Sequence, residues 1–110
     1  MEFSKKGNIF QILLPREENR SIFLGVSFSH QENQEIGLVE MNSQPTDQKI
    51  LKEITIELKS INKFLKSEYK VSKIYYDQSN GCSADIYRPL LRSLIRTHYF
   101  EGESAFRETP

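Results

Sequence analysis

Between residues 21 and 28 the chain reads SIFLGVSF. Ile22, Leu24, Val26 and Phe28 fall on one face and Ser21, Gly25 and Ser27 on the other, with Phe23 the apolar exception there. A period of two in branched and aromatic residues predicts a strand with one buried face. The apolar run GNIFQILLP at 7–15, closed by Pro15 and the polar REENR, predicts a strand before it. After the polar loop SHQENQ at 29–34, EIGLVEM at 35–41 reads as a return strand. The links between these three are too short for a crossover, so an antiparallel meander is expected.

The period then changes. SQPTD sets up a helix start, with Thr46 or Asp47 as N-cap and Asp47 favourable against the helix dipole. Ile50, Ile54, Leu58, Ile61 and Leu65 follow at steps of three and four, and Leu51 and Phe64 widen the same apolar stripe. Lys49, Lys52, Lys59, Lys63, Lys66 and Lys70 lie mostly off it and pair along the helix with Glu53 and Glu57. VSKIYY at 71–76 predicts a fourth strand, apolar enough to be interior. A last helix over 88–100 buries Leu90, Leu91, Leu94, Ile95, His98 and Tyr99, with Pro89 tolerated in its first turn. The pattern predicts one α+β domain over residues 1–100, of order β-β-β-α-β-α. Its small four-stranded sheet is mostly antiparallel, and a helix before the fourth strand admits a parallel pairing, so a mixed sheet. Both helices are expected on one face. Residues 101–110 read as a polar tail that frays unless Phe106 pins it.

Composition narrows the class without naming a function. At 110 residues, 37% hydrophobic and 27% charged, the chain is long enough for one core without staples. One cysteine forbids an internal disulfide. With only His30 and His98 beside it, a structural zinc site has too few ligands, so no metal and no cofactor is expected. The sequence has no apolar run of membrane-spanning length and no signal-peptide core at its start, which points to a cytoplasmic protein without membrane contact. Net charge is zero but uneven: residues 46–100 hold ten Lys and Arg against six Asp and Glu, between acidic flanks. That surplus is smaller than a dedicated nucleic-acid binder carries.

The stretch DQSNGCSADIYR at 77–88 holds the lone cysteine six residues before an arginine. CSADIYR resembles the C-x5-R signature loop of protein tyrosine phosphatases in its first three residues and its arginine. That resemblance implies Cys82 as thiolate nucleophile and Arg88 as phosphate clamp. Asp85 and Tyr87 stand where such a loop favours glycines, and Asp85 would bring a negative charge towards the phosphate. Asn80-Gly81 is a turn signal, so the stretch reads as a loop and a helix start capped by Ser83 or Asp85, with no catalytic residue assigned.

The element order also resembles that of ribonuclease-H-like nucleases. The resemblance implies carboxylates on the first strand, the first helix and the end of the fourth strand, holding two divalent metals. Asp77 and Glu53 or Glu57 match the later positions, but neither NIFQILL nor SIFLGVSF contains an acid.

Arg88, Arg92 and Arg96 recur every four residues on the last helix. The main expectation is a non-enzymatic interaction or regulatory protein, contacting a protein partner through this helix and the loop before it. Tyr75, Asp77, Tyr87, Arg88, Arg92 and Arg96 are the expected binding residues. On that reading Arg92→Glu and Arg96→Glu abolish binding and spare stability. The alternative is a nucleic-acid-binding domain using the same arginines, an inactive ribonuclease-H-like relative included. Cysteine-dependent phosphatase chemistry ranks below both. An exposed edge strand would also permit a homodimer.

Overall fold

The computed structural model describes residues 1–15, 22–28, 37–40, 48–76 and 84–109. Six strands run in the chain order β1 (Glu2–Lys6), β2 (Ile9–Leu14), β3 (Ile22–Phe28), β4 (Gly37–Glu40), β5 (Val71–Tyr76) and β6 (Arg107–Glu108). Helix α1 (Gln48–Leu65) separates β4 from β5, and α2 (Tyr87–Glu101) follows β5. The strands, α1 and α2 read from the sequence all form in the expected order, so the α+β class holds. The sheet is larger than the four strands expected: five strands of four to seven residues, with the two-residue β6 at one edge.

The additional first strand, EFSKK, has a weak apolar signal because only Phe3 faces the core. Its partner register makes it a strand: Glu2 to Lys6 pair antiparallel with Leu13 to Ile9 across the two-residue Gly7-Asn8 turn. Gly7 has φ of 61°, the conformation that a glycine at the first position of such a turn supplies.

Across the sheet the order is β4-β5-β3-β2-β1-β6. β2 and β3 pair antiparallel as expected, but β4 does not return alongside β3. β5 lies between them, antiparallel to β3 and parallel to β4, so the sheet is mixed. The reason is α1, which carries the chain across and lets the apolar β5 take the interior place while the four-residue β4 takes the edge. In this order β3 separates β2 from β5, and Asp77, which follows β5, lies outside the described residues.

One face of the sheet and both helices form the core. Ile12, Ile22, Leu24, Val26, Ile74 and Tyr76 from the sheet are fully buried against Ile54, Leu90, Leu91, Leu94 and Ile95. Alternation puts Ile9, Leu13, Phe23 and Tyr75 on the other face, half-buried around Gly25. The α1 stripe is buried at Ile50, Ile54, Ile61 and Leu65, but Phe64, expected to widen it, is 74% exposed. The N-caps proposed at Thr46 and Asp47 lie outside the described residues.

α1 ends in a Schellman-type turn: Lys66 adopts a left-handed φ of 55°, and the Ser67 N–H donates to the Asn62 carbonyl at 2.9 Å. The chain end is built onto the sheet rather than frayed. Phe106 is buried against the rings of Phe3 and Phe10, and the Thr109 N–H donates to the Lys5 carbonyl at 2.8 Å. Among the described residues no helix is long and apolar enough to cross a membrane.

Candidate functional site

Of the six residues expected to form one binding patch, the five that are described do not share one surface. Tyr75 projects from the sheet face opposite the helices, where it lies against Gly25. Tyr87, expected at the surface, is 1% exposed and packs edge-on to Tyr76 with ring centroids 6.2 Å apart. Its position at the first turn of α2 points it under the helix, so it anchors the core. Asp77, together with Cys82, Ser83 and His30, lies outside the described residues. Asp85 is exposed at a 3₁₀ turn (Ala84–Ile86) that runs straight into α2, and the α2 N-terminus has no side-chain cap.

The arginine stripe divides as well. Arg92 Nη2 donates to Glu57 Oε1 at 2.7 Å, and Arg88 lies 3.6 Å from Glu57 and 3.6 Å from Glu53. Glu57 is 1% exposed. Sequence spacing pairs this glutamate with lysines along its own helix, whereas it turns inward and binds α2. The carboxylate raises the Arg92 pKa, first through the hydrogen bond and then through its charge. Two of the three arginines therefore hold the helices together. Arg96 is exposed and has no ion pair among the described residues. Arg88, the clamp of the phosphatase resemblance, is committed to the two glutamates.

Two of the three ion pairs, Glu53–Arg88 and Glu57–Arg92, share an offset of 35 residues between α1 and α2, as parallel neighbouring helices in register require. Continuing that offset sets Phe64 level with Tyr99. Tyr99 was expected in the buried stripe, but it is 46% exposed, and Phe100 beside it is 65% exposed. The Tyr99 and Phe100 rings meet edge-to-face at 5.0 Å and 89°. Tyr99 and Phe100 thus form an exposed aromatic pair near the C-terminal end of α2, with Arg96 exposed one turn earlier, and Phe64 is exposed beside Lys63 at the corresponding level of α1. The signal for them in the sequence is an apolar arc too wide for one buried stripe on either helix.

A second feature lies near the same end, between the end of α2, residues 67–70 that follow α1, and the β1–β2 turn. A cavity of about 570 Å³ is lined by Phe10, Phe28, Tyr69, His98 and Tyr99, with Lys5 and Glu103 at its edge. His98 Nδ1 lies 2.8 Å from the Tyr69 hydroxyl. The histidine, expected in the buried stripe of the last helix, is half-buried among Phe10, Phe28 and Tyr69. Burial pushes its pKa down, against the pull of Glu103 and with a smaller push from Lys5. Burial also raises the Tyr69 pKa, with Tyr99 adding to it. At neutral pH both groups are uncharged.

No group of three or more His, Cys, Asp or Glu among the described residues is placed to hold a metal ion. No protein-family model, no curated protein and no solved structure matches this chain.

Proposed function

We propose that this is an interaction module that binds a protein partner through the C-terminal end of its helix pair. The observation that carries the reading is the exposure of Phe64, Tyr99 and Phe100, at 74%, 46% and 65%, near the C-terminal ends of the two helices. Large aromatic side chains held on a rigid helical surface with no core to join are what interface hot spots use. The charge around them defines the partner's chemistry. The two helices carry seven Lys and Arg against Glu53, Glu57 and Glu101. Glu53 and Glu57 are already bound to arginine, so the solvent side of the layer is basic. The partner surface is apolar at its centre and acidic at its rim.

Relative to the sequence-based expectation, the contact moves from the loop before α2 to its far end, and Arg96 is the one arginine of the stripe that stays in it. The test is capture from nuclease-treated lysate by the wild type, by Phe64→Ser/Phe100→Ser and by Arg96→Glu. A stoichiometric protein held by the wild type and lost in the double variant, at unchanged melting temperature, supports the reading. A partner retained by the double variant removes it. Bound material that disappears with nuclease instead transfers the surface to nucleic acid.

A further inference from the structure

The aromatic cavity adjoins the proposed contact surface, sharing Tyr99 with it, and is built differently from a packing defect. Its volume of about 570 Å³ is within the range of about 300–1,000 Å³ typical of small-molecule sites. Its walls are rings already packed against one another. Phe10 and His98 have centroids 4.8 Å apart, Phe28 and Tyr69 5.1 Å, and Phe28 and His98 5.2 Å. The pairs are edge-on or tilted, at 80°, 46° and 52°, the arrangements in which a further planar ring also packs favourably against such a wall.

Two polar groups stand inside this apolar wall where a phenylalanine or leucine would pack at lower cost. The Tyr69 hydroxyl and His98 Nδ1 satisfy each other at 2.8 Å. The imidazole keeps Nε2, a donor or an acceptor according to tautomer, which has no hydrogen bond among the described residues. A cavity that is mostly aromatic with one or two polar atoms to fix orientation is the usual composition of a ligand site.

The wall is also held in place from behind. The Asn62 side-chain amide donates to the Tyr69 carbonyl at 2.9 Å and accepts from the Tyr69 N–H at 2.8 Å, and the Ser67 hydroxyl donates to the same amide oxygen at 2.9 Å. On the other side the Gly102 N–H donates to the His98 carbonyl at 3.0 Å. Fixing the rings before binding removes part of the ordering cost from the ligand.

Charge selects among ligands. Lys5 Nζ pairs with Glu103 at 3.1 Å and sits 5.5 Å from the centre of the Phe10 ring. Lys70 and Glu68 add one charge of each sign to the lining, so the site has no net charge to offer an ion. From these contacts we infer that the cavity between Phe10, Phe28, Tyr69 and His98 binds an uncharged, planar aromatic small molecule bearing one hydrogen-bonding ring atom.

The experiment is a titration of the isotope-labelled full chain, followed by amide and aromatic resonances, with indole and benzimidazole as probes. Indole-3-acetate and tryptamine serve as charged analogues, and cyclohexanol as a non-aromatic control. The expected result is saturable shifts centred on Phe28, Tyr69 and His98 with Kd on the order of 0.1–1 mM for these small probes. The charged analogues and cyclohexanol should bind at least about tenfold more weakly. His98→Leu should weaken benzimidazole by about tenfold, and Phe64→Ser/Phe100→Ser should leave its affinity unchanged. No saturation by either probe up to several millimolar would overturn the inference without need of any variant. So would equal binding of cyclohexanol, tighter binding of a charged analogue, or shifts centred away from these rings. Loss of binding in the Phe64→Ser/Phe100→Ser variant would also count against it, by placing the probes on the exposed patch instead.

Discussion

Glu57 on α1 and Arg92 on α2 stand 35 residues apart in the chain and 2.7 Å apart in the fold, the acid buried and the base half in solvent. A carboxylate taken out of water depends on its partners far more than a surface pair does. Arg92→Met should therefore cost about 1–3 kcal/mol, with Arg88 retaining part of the contact. Arg92→Glu should cost more, because a second acid would face Glu57. The sequence alone implied that this substitution spares stability, and the buried glutamate reverses that expectation. The double variant Glu57→Leu/Arg92→Met should return to within about 1 kcal/mol of the wild type. Urea unfolding of the four proteins decides it: equal midpoints for Arg92→Glu and wild type would show the pair to be idle.

Lys66 ends α1 with φ of 55°, a conformation that costs a residue with a Cβ and suits glycine. Lys66→Gly should raise stability by about 0.5–1 kcal/mol, read as a higher denaturant midpoint with unchanged slope. A lower midpoint would mean that the lysine side chain has a contact of greater value than the relieved backbone.

Gly25 occupies the middle of β3 on the sheet face away from the helices. A Cβ there would stand 3.1 Å from Ile9 Cγ2, 3.2 Å from Phe23 Cζ and 3.2 Å from Tyr75 Cβ. The Phe23 ring tip can swing aside, but Tyr75 Cβ moves only with its strand. Gly25→Val should destabilise by about 1–3 kcal/mol despite its better strand propensity, and Gly25→Ala by less. Thermal melts that place Gly25→Val above the wild type would contradict this.

His98 links stability to pH. Its folded pKa is lowered from 6.5 by burial, so the folded state binds fewer protons than the unfolded chain. Its contribution is therefore complete above about pH 6.5 and is lost as the pH falls from there through the lowered folded value. Tyr69, Lys5 and Glu103 face it; Glu103 opposes the shift and Lys5 adds to it. In His98→Phe the difference between midpoints at pH 8 and pH 5 should shrink relative to the wild type. An unchanged difference would show that His98 stays neutral or charged alike in both states.

Much of the fold was legible because it rests on local periodicity. The alternation of Ile22, Leu24 and Val26 and the four-residue steps from Ile50 to Leu65 report which face is buried, whatever the neighbour turns out to be. Glu2 to Lys6 are not legible as a strand, because a strand with a single core-facing aromatic has no period to read. The candidate residues fared less evenly. Arg88, Arg92 and Arg96 share a helix face, which spacing shows, but what they meet depends on a glutamate in another element. Tyr87 and Phe64 each continue an apolar stripe by one position, and only packing tells which of the two lies under its helix.

The sequence by itself determined the type and order of the two helices and of β2 to β5, and most of their buried positions, since each follows from residue chemistry at short range. The tertiary structure decided the rest. It inserted β5 between β3 and β4, set two arginines on a buried acid, and left Phe64, Tyr99 and Phe100 exposed near the ends of their helices. It also set His98 against Tyr69 across an aromatic cavity. These relations join residues far apart in the chain, and their energies arise from desolvation and packing that exist only once the helices and sheet have met.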